Sequence, residues 1–294
     1  VFHQHGIPFV IGSCWSDSLT SAGYDEVFRT SVYSSKLAEN MVAVMAANGI
    51  KKAASLVEDT DYGIGIAKNI ENAIKKLNAN IYYARWAGHG LEPQASLDDF
   101  NGENAWQSAK EALAIGKQIG GKVIIMSTST GGTLAFKLAA EFPEDVHALI
   151  NMGPNLEDDQ PGTFVLNTPW GYEIASLISF GDNRKIEHEQ QIATQYWDTI
   201  YPSRALVDLQ VLVETTMIPE TFKKVKCSVL TLYYHKNFIQ EDEHVEVDIY
   251  ENIHKLLSTP DSMVVLKPLA TPETHFVGSD IKSKDTEIVE NAIE

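Results

Sequence analysis

Lys122-Val-Ile-Ile-Met126-Ser127-Thr-Ser129-Thr-Gly131-Gly132-Thr133-Leu-Ala-Phe-Lys-Leu-Ala-Ala140 is the stretch that decides how this 294-residue chain folds. Its first residues form a short apolar run with the composition of a buried strand, and its last eight are dominated by helix formers. Between them lies a turn with one serine among small residues. A strand, a sharp turn and a helix in that order hold a serine side chain exposed at the carboxyl end of a sheet, within reach of an ester or amide carbonyl. Ser129 is therefore the candidate nucleophile. The positions two before and two after it are Ser127 and Gly131, both small, as the crowding of such a turn requires. The same local pattern also serves to cap a helix or to bind phosphate at its N-terminus.

A serine nucleophile of this kind needs an acid and then a histidine further along the chain. Val229-Leu-Thr-Leu-Tyr-Tyr234 reads as a second strand, followed by the polar loop Gln240-Glu-Asp242-Glu-His-Val245. Ser262-Met-Val-Val-Leu-Lys267 reads as a third, followed by Thr271-Pro-Glu-Thr-His275-Phe. Asp242 and His275 then fall at the carboxyl ends of two strands, where the acid can orient the imidazole and the imidazole can take the serine proton. Taken singly, Asp242 is one carboxylate among Glu241, Glu243 and Glu246, and His275 is one of nine histidines. Their joint occurrence in order, each after a strand, carries the assignment.

With these residues in place, residues 83–294 resemble α/β-hydrolase-fold serine esterases and monoacylglycerol-lipase-like enzymes. The resemblance rests on Arg85-Trp-Ala-Gly88-His89-Gly90-Leu91, the Ser129 turn, the Asp242 loop with Val245, and the His275 loop. It implies a mostly parallel, three-layer αβα sheet, a carboxylic-ester hydrolase activity on an apolar small-molecule ester, and a helical cap at about residues 155–222. The cap carries Trp170, Tyr172, Phe180, Tyr196, Trp197 and Tyr201. Aromatics at such spacing mainly pack helices together, and Trp170 is the one singled out as a substrate contact.

Residues 1–82 read differently. Ile7-Pro-Phe-Val-Ile-Gly12-Ser13, Ser18-Leu-Thr20 with Gly23-Tyr24, Val27-Phe-Arg-Thr30, and Ile50 to Asp59 with Thr60-Asp61-Tyr62-Gly63 resemble part of a type I periplasmic solute-binding protein of the branched-chain amino acid class. That resemblance implies an amino-acid site at Ser13, Ser16 and Tyr62, of which the closing second lobe is missing. Charge changes at the same junction: residues 1–82 hold 7 Lys and Arg against 8 Asp and Glu, and residues 83–294 hold 16 against 32. A recombined or engineered chimera is expected, with residues 1–82 completing the sheet of the remainder. Helix Lys36–Ala47, strand Ala53–Leu56, helix Ile64–Leu77 and strand Ile81–Ala84 supply the connecting alternation.

A junction of this kind bears on catalysis. Acyl transfer needs two backbone N–H donors at the developing oxyanion, one from the residue after the nucleophile, here Thr130, and one from the loop after the third strand. The corresponding loop, Glu58-Asp59-Thr60-Asp61-Tyr62-Gly63, is rich in carboxylates that oppose a negative charge. Tyr62 reads either as a packed loop aromatic or as an oxyanion and substrate contact.

A net charge of −17 argues against nucleic acid and anionic membrane surfaces as partners. No apolar run approaches the ~20 residues of a membrane span and no signal peptide is seen, so the chain as given is expected to be soluble and cytoplasmic. Two cysteines, Cys14 and Cys227, support neither a disulfide framework nor a thiolate metal cluster, and His3 with His5 offers only two ligands. No cofactor or metal is expected. An exposed sheet edge at residues 7–13 and 27–32 would favour a homodimer.

Three functions follow from these residues. The first is a serine esterase using Ser129, His275 and Asp242. The second is a chimeric scaffold with little or no turnover, and the third is an amino-acid-binding module, which binds no aliphatic amino acid without its second lobe.

Overall fold

The structure is a computed structural model that describes residues 9–11, 27–29, 80, 82–89, 97–157, 163–186, 198–279 and 281–293. The expectations for Lys36–Ala47, Ala53–Leu56, Ile64–Leu77, Tyr62 and its loop, Ser13, Ser16, Cys14, His3, His5, Tyr196 and Trp197 lie outside the described residues. Strand β1 (Phe9–Ile11) pairs in parallel with β2 (Val27–Arg29), Phe9 facing Val27. Both strands lie inside the two runs read as sheet-forming. Of the strand expected at Ile81–Ala84, residues 82–84 are irregular.

Helix α1 (Gly102–Ile119) starts where the Asn101 side chain accepts from the Asn104 backbone N–H at 2.8 Å, and Gly120 ends it. Glu103 in its first turn and Lys117 in its last complement the helix dipole. Ala105, Ala109, Ala112, Leu113 and Gly116 form its buried stripe. Strand β3 (Val123–Thr128) follows and leads through Ser129 into α2 (Thr130–Glu141). Strand β4 (Val146–Met152) then lies parallel to β3.

The chain next forms a 3₁₀ turn (Thr163–Asn167), α3 (Gly171–Ile178), an antiparallel pair β5 (Asn183–Lys185) and β6 (Ile200–Pro202), and α4 (Ser203–Thr216). The insertion expected to be helical therefore also contains an antiparallel pair of short strands, and Tyr201 sits on one of them. After the short α5 (Pro219–Phe222), the long strand β7 (Ser228–Asn237) is buried through Tyr234. Strand β8 (Gln240–Glu241) folds back antiparallel on its end. Helix α6 (Tyr250–His254), strand β9 (Val264–Leu269) and helix α7 (Glu287–Ile293) complete the described chain.

Strands β3, β4, β7 and β9 lie in that order, all parallel. Side chains of a strand alternate between faces, and β7 shows that both faces are covered. Val229 and Tyr233 join the core formed by α1, α2, α5 and α6, including Leu113, Phe136, Phe222 and Tyr250. Leu232 and Tyr234, on the other face, join Leu269, Val277 and Val289 of α7. The result is helix, sheet, helix: the expected three-layer α/β architecture with a mostly parallel sheet. Every β-strand end that leads to a candidate residue points the same way, because the strands are parallel. Among the described residues, no helix is long and apolar enough to cross a membrane.

Candidate active site

Ser129 occupies the first position of the turn into α2 with φ 54° and ψ −123°. A non-glycine residue held there costs about 1–3 kcal/mol, and such strain persists only where the surroundings enforce it. Three backbone hydrogen bonds do so. Ser129 N–H donates to Met152 O at 3.2 Å, and Ser129 O accepts from Gly132 N–H and Asn155 N–H, each at 2.8 Å. The side chain makes no capping bond to the helix it precedes, which removes the helix-capping alternative and leaves its hydroxyl for other work. Trp86 lies beside the same turn, 3.6 Å from where a Cβ on Gly131 would sit, and its ring meets His89 edge-on at 5.3 Å.

Asp242 and His275 meet across the ends of β7 and β9. His275 Nδ1 lies 2.6 Å from Asp242 Oδ2, and both side chains are buried. The other carboxylate oxygen, Oδ1, accepts from the backbone N–H of His244 at 2.9 Å and of Val245 at 3.3 Å. Its neighbours in sequence behave differently: Glu241 pairs with His235 at 3.0 Å on the half-buried hairpin, and Glu243 is exposed. Only Asp242 is turned inward, with a donor on each oxygen. A carboxylate so held orients the imidazole with Nδ1–H toward it and leaves Nε2 to accept a proton.

No family model and no curated protein matches the chain. Solved structures do. Over 82% of its length the chain is similar to 91% of a structure from work on LipS and LipT, two metagenome-derived lipolytic enzymes, at 16% identity and a TM-score of 0.60. It is similar to the monoacylglycerol lipase of Paleococcus ferrophilus at 14% identity and a TM-score of 0.57, over 82% of this chain and 91% of that one. A soluble variant of monoglyceride lipase from Saccharomyces cerevisiae matches 83% of this chain over 85% of its own, at 14% identity and a TM-score of 0.56. The fold is the α/β-hydrolase fold.

In this α/β-hydrolase fold the turn after β4 joins the two halves of the candidate site. Gly153, with φ +52°, sits against the His275 ring: a Cβ there would lie 3.2 Å from Nδ1 and 3.0 Å from the His275 carbonyl oxygen. Gly153 N–H donates to Leu232 O at 2.7 Å, Tyr250 Oη donates to Pro154 O at 2.6 Å, and Thr133 Oγ1 donates to Asn155 O. Burial first, and then the Asp242 charge, push the Tyr250 phenol well above its ordinary pKa, so it remains a donor. Residues 152–155 therefore touch Ser129 on one side and His275 on the other. The Ser129 hydroxyl itself makes no hydrogen bond to His275 among the described residues.

Thr130 begins α2, and a residue at that position has no intrahelical partner for its N–H, as an oxyanion donor requires. Tyr62, the other oxyanion and substrate candidate, lies outside the described residues. Trp170 is 69% exposed and precedes α3, and Phe180 is 99% exposed. The expectation that the insertion's aromatics pack its helices together fails for these two, because α3 buries only Gly171 and Ala175. Sequence reading passed over Gly153, Gly132 and Tyr250. A Gly-Pro-Asn run after an apolar strand was a usable signal for the first.

Proposed function

We propose that the chain hydrolyses carboxylic esters with an apolar acyl or alcohol part. In this reading Ser129 Oγ attacks the carbonyl carbon while His275 Nε2 takes its proton, and Asp242 steadies the imidazolium that forms. The carbonyl oxygen becomes an oxyanion at Thr130 N–H, with Tyr62 in the loop that would give the second donor. Collapse of the tetrahedral intermediate returns the proton to the departing alkoxide, and water then repeats the cycle on the acyl-serine.

The observation that carries the reading is the buried Asp242–His275 pair sharing the turn 152–155 with a strained, uncapped Ser129. Trp170 is assigned to the substrate side of the inserted segment. Hydrolysis of short and medium p-nitrophenyl esters by the chain and by Ser129→Ala tests it. Turnover should fall to background in the variant. Equal rates in two folded proteins would favour the alternative, a recombined scaffold with little or no activity, to which the charge difference between residues 1–82 and 83–294 points.

A further inference from the structure

His244 lies beside the Asp242–His275 pair without belonging to it, and its surroundings are specific. Its backbone N–H donates to Asp242 Oδ1, while its ring meets the His275 ring edge-on, 5.1 Å between centroids and 86° between planes. Phe276 closes the group, 6.2 Å from His244 and 5.0 Å from His275, and Lys282 Nζ lies 4.2 Å from the far ring. Edge-to-face packing of this kind fixes ring planes without consuming a ring nitrogen. One residue thus holds the acid through its backbone and the imidazole through its side chain.

We propose that His244 is a positioning residue for His275, keeping the imidazole plane in line while neutral and opposing the base's positive charge once protonated. The proposal rests on the ester-hydrolase reading above. Desolvation in this packing and then the His275 charge, followed by Lys282, hold the His244 pKa below 6.5, while Asp242 and Glu243 pull it upward. Its place beside His275 therefore disfavours the charged form of His244. On acidification it adds a positive charge about one ring width from the imidazolium that proton transfer creates. In a water-like medium that repulsion slows acylation about fourfold, since His244 is exposed to solvent.

The test uses the full chain with His244→Phe, which keeps a ring without the charge, and His244→Ala, which removes both. With p-nitrophenyl butyrate, the acid side of the wild-type kcat/KM profile should lie below that of the Phe variant, by at most about fourfold. The Ala variant should lose about tenfold in kcat with little change in KM, as misorientation does. Identical acid limbs in wild type and His244→Phe, or an undiminished kcat in His244→Ala, would overturn the proposal. Ring-proton NMR titration in the Ser129→Ala protein separates this from the parent reading, because it needs no turnover. There the His244 midpoint should rise when His275→Gln is added, and an unmoved midpoint counts against the coupling even if the chain proves to be no hydrolase.

Discussion

Gly153 and His275 are in contact through an absence: the space where a Gly153 side chain would project is filled by the imidazole, at 3.2 Å from Nδ1 and 3.3 Å from Cε1. A methyl group at 153 competes with the ring for that space and also meets the penalty of φ +52°, about 1–2 kcal/mol for an L residue. Gly153→Ala should therefore lower kcat by about 10²-fold, the cost of displacing a reacting group by about an ångström, while reducing stability only modestly. Steady-state kinetics beside a urea melt reads both. A fall in stability with full activity would show that the ring position is not what Gly153 protects.

Two adjacent glycines in the elbow should respond unequally. A Cβ on Gly132 would lie 2.2 Å from Pro154 Cβ and 2.7 Å from its Cα, so the turn itself must move. Gly131 faces Ser127 Cβ at 3.3 Å, a contact that shifts of a few tenths of an ångström relieve. Gly132→Ala is expected to cost about 1–3 kcal/mol and Gly131→Ala less than about 1 kcal/mol. The reverse order in chemical denaturation would refute this account of the turn.

Asp242→Asn retains a carbonyl oxygen for His244 N–H and Val245 N–H but presents an amide N–H to His275 Nδ1. The imidazole must then carry its proton on Nε2, the nitrogen that should accept from serine. The expected loss in kcat is on the order of 10⁴-fold, with the fold preserved. A loss under tenfold would remove Asp242 from the mechanism.

Tyr250→Phe deletes the donor to Pro154 O, in a site with no exposure at Tyr250. Leaving that carbonyl unpaired should cost about 1–3 kcal/mol, read as a lower urea midpoint at unchanged slope. The double variant Tyr250→Phe with Gly153→Ala should be non-additive, since both act on one turn.

Acid should destabilise the fold before its carboxylates titrate. His254 donates from Nδ1 to Tyr250 O at 2.7 Å and meets Thr231 Oγ1 through Nε2 at 2.9 Å, and burial holds its pKa below 6.5. His89 is lowered by burial as well. A base with a depressed folded pKa binds its proton more readily when unfolded, so its contribution is complete above 6.5 and is lost as pH falls through that value toward the folded one. The urea midpoint should drop as pH falls below about 6.5, and a flat profile there would contradict it.

The sequence revealed most where residue type alone limits the options. Val123 to Met126 admit few roles other than a central parallel strand, and the helix after Ser129 is apolar over most of its surface. His275 was legible from order after a strand. Burial was not: Asp242 and Glu241 differ by one methylene, and what distinguishes them is the backbone N–H groups of His244 and Val245 and the ring of His275. Gly131 was expected to be the crowded glycine, and the nearer contact proved to be that of Gly132 with a residue 22 positions on, which no local pattern encodes. The antiparallel pair of β5 and β6 was missed for a similar reason, since three-residue strands carry too little periodicity to separate from a helix.

The turn at residues 152–155 gives the site an unusual mechanical property. Ser129 and His275 belong to chain segments far apart in sequence, yet each is braced against this same short piece of backbone. A displacement of the end of β4 should therefore carry both together and leave their separation little changed. Shear within that turn is what the site has to avoid. Substitutions that translate the whole end of β4 should then be better tolerated than those that twist it.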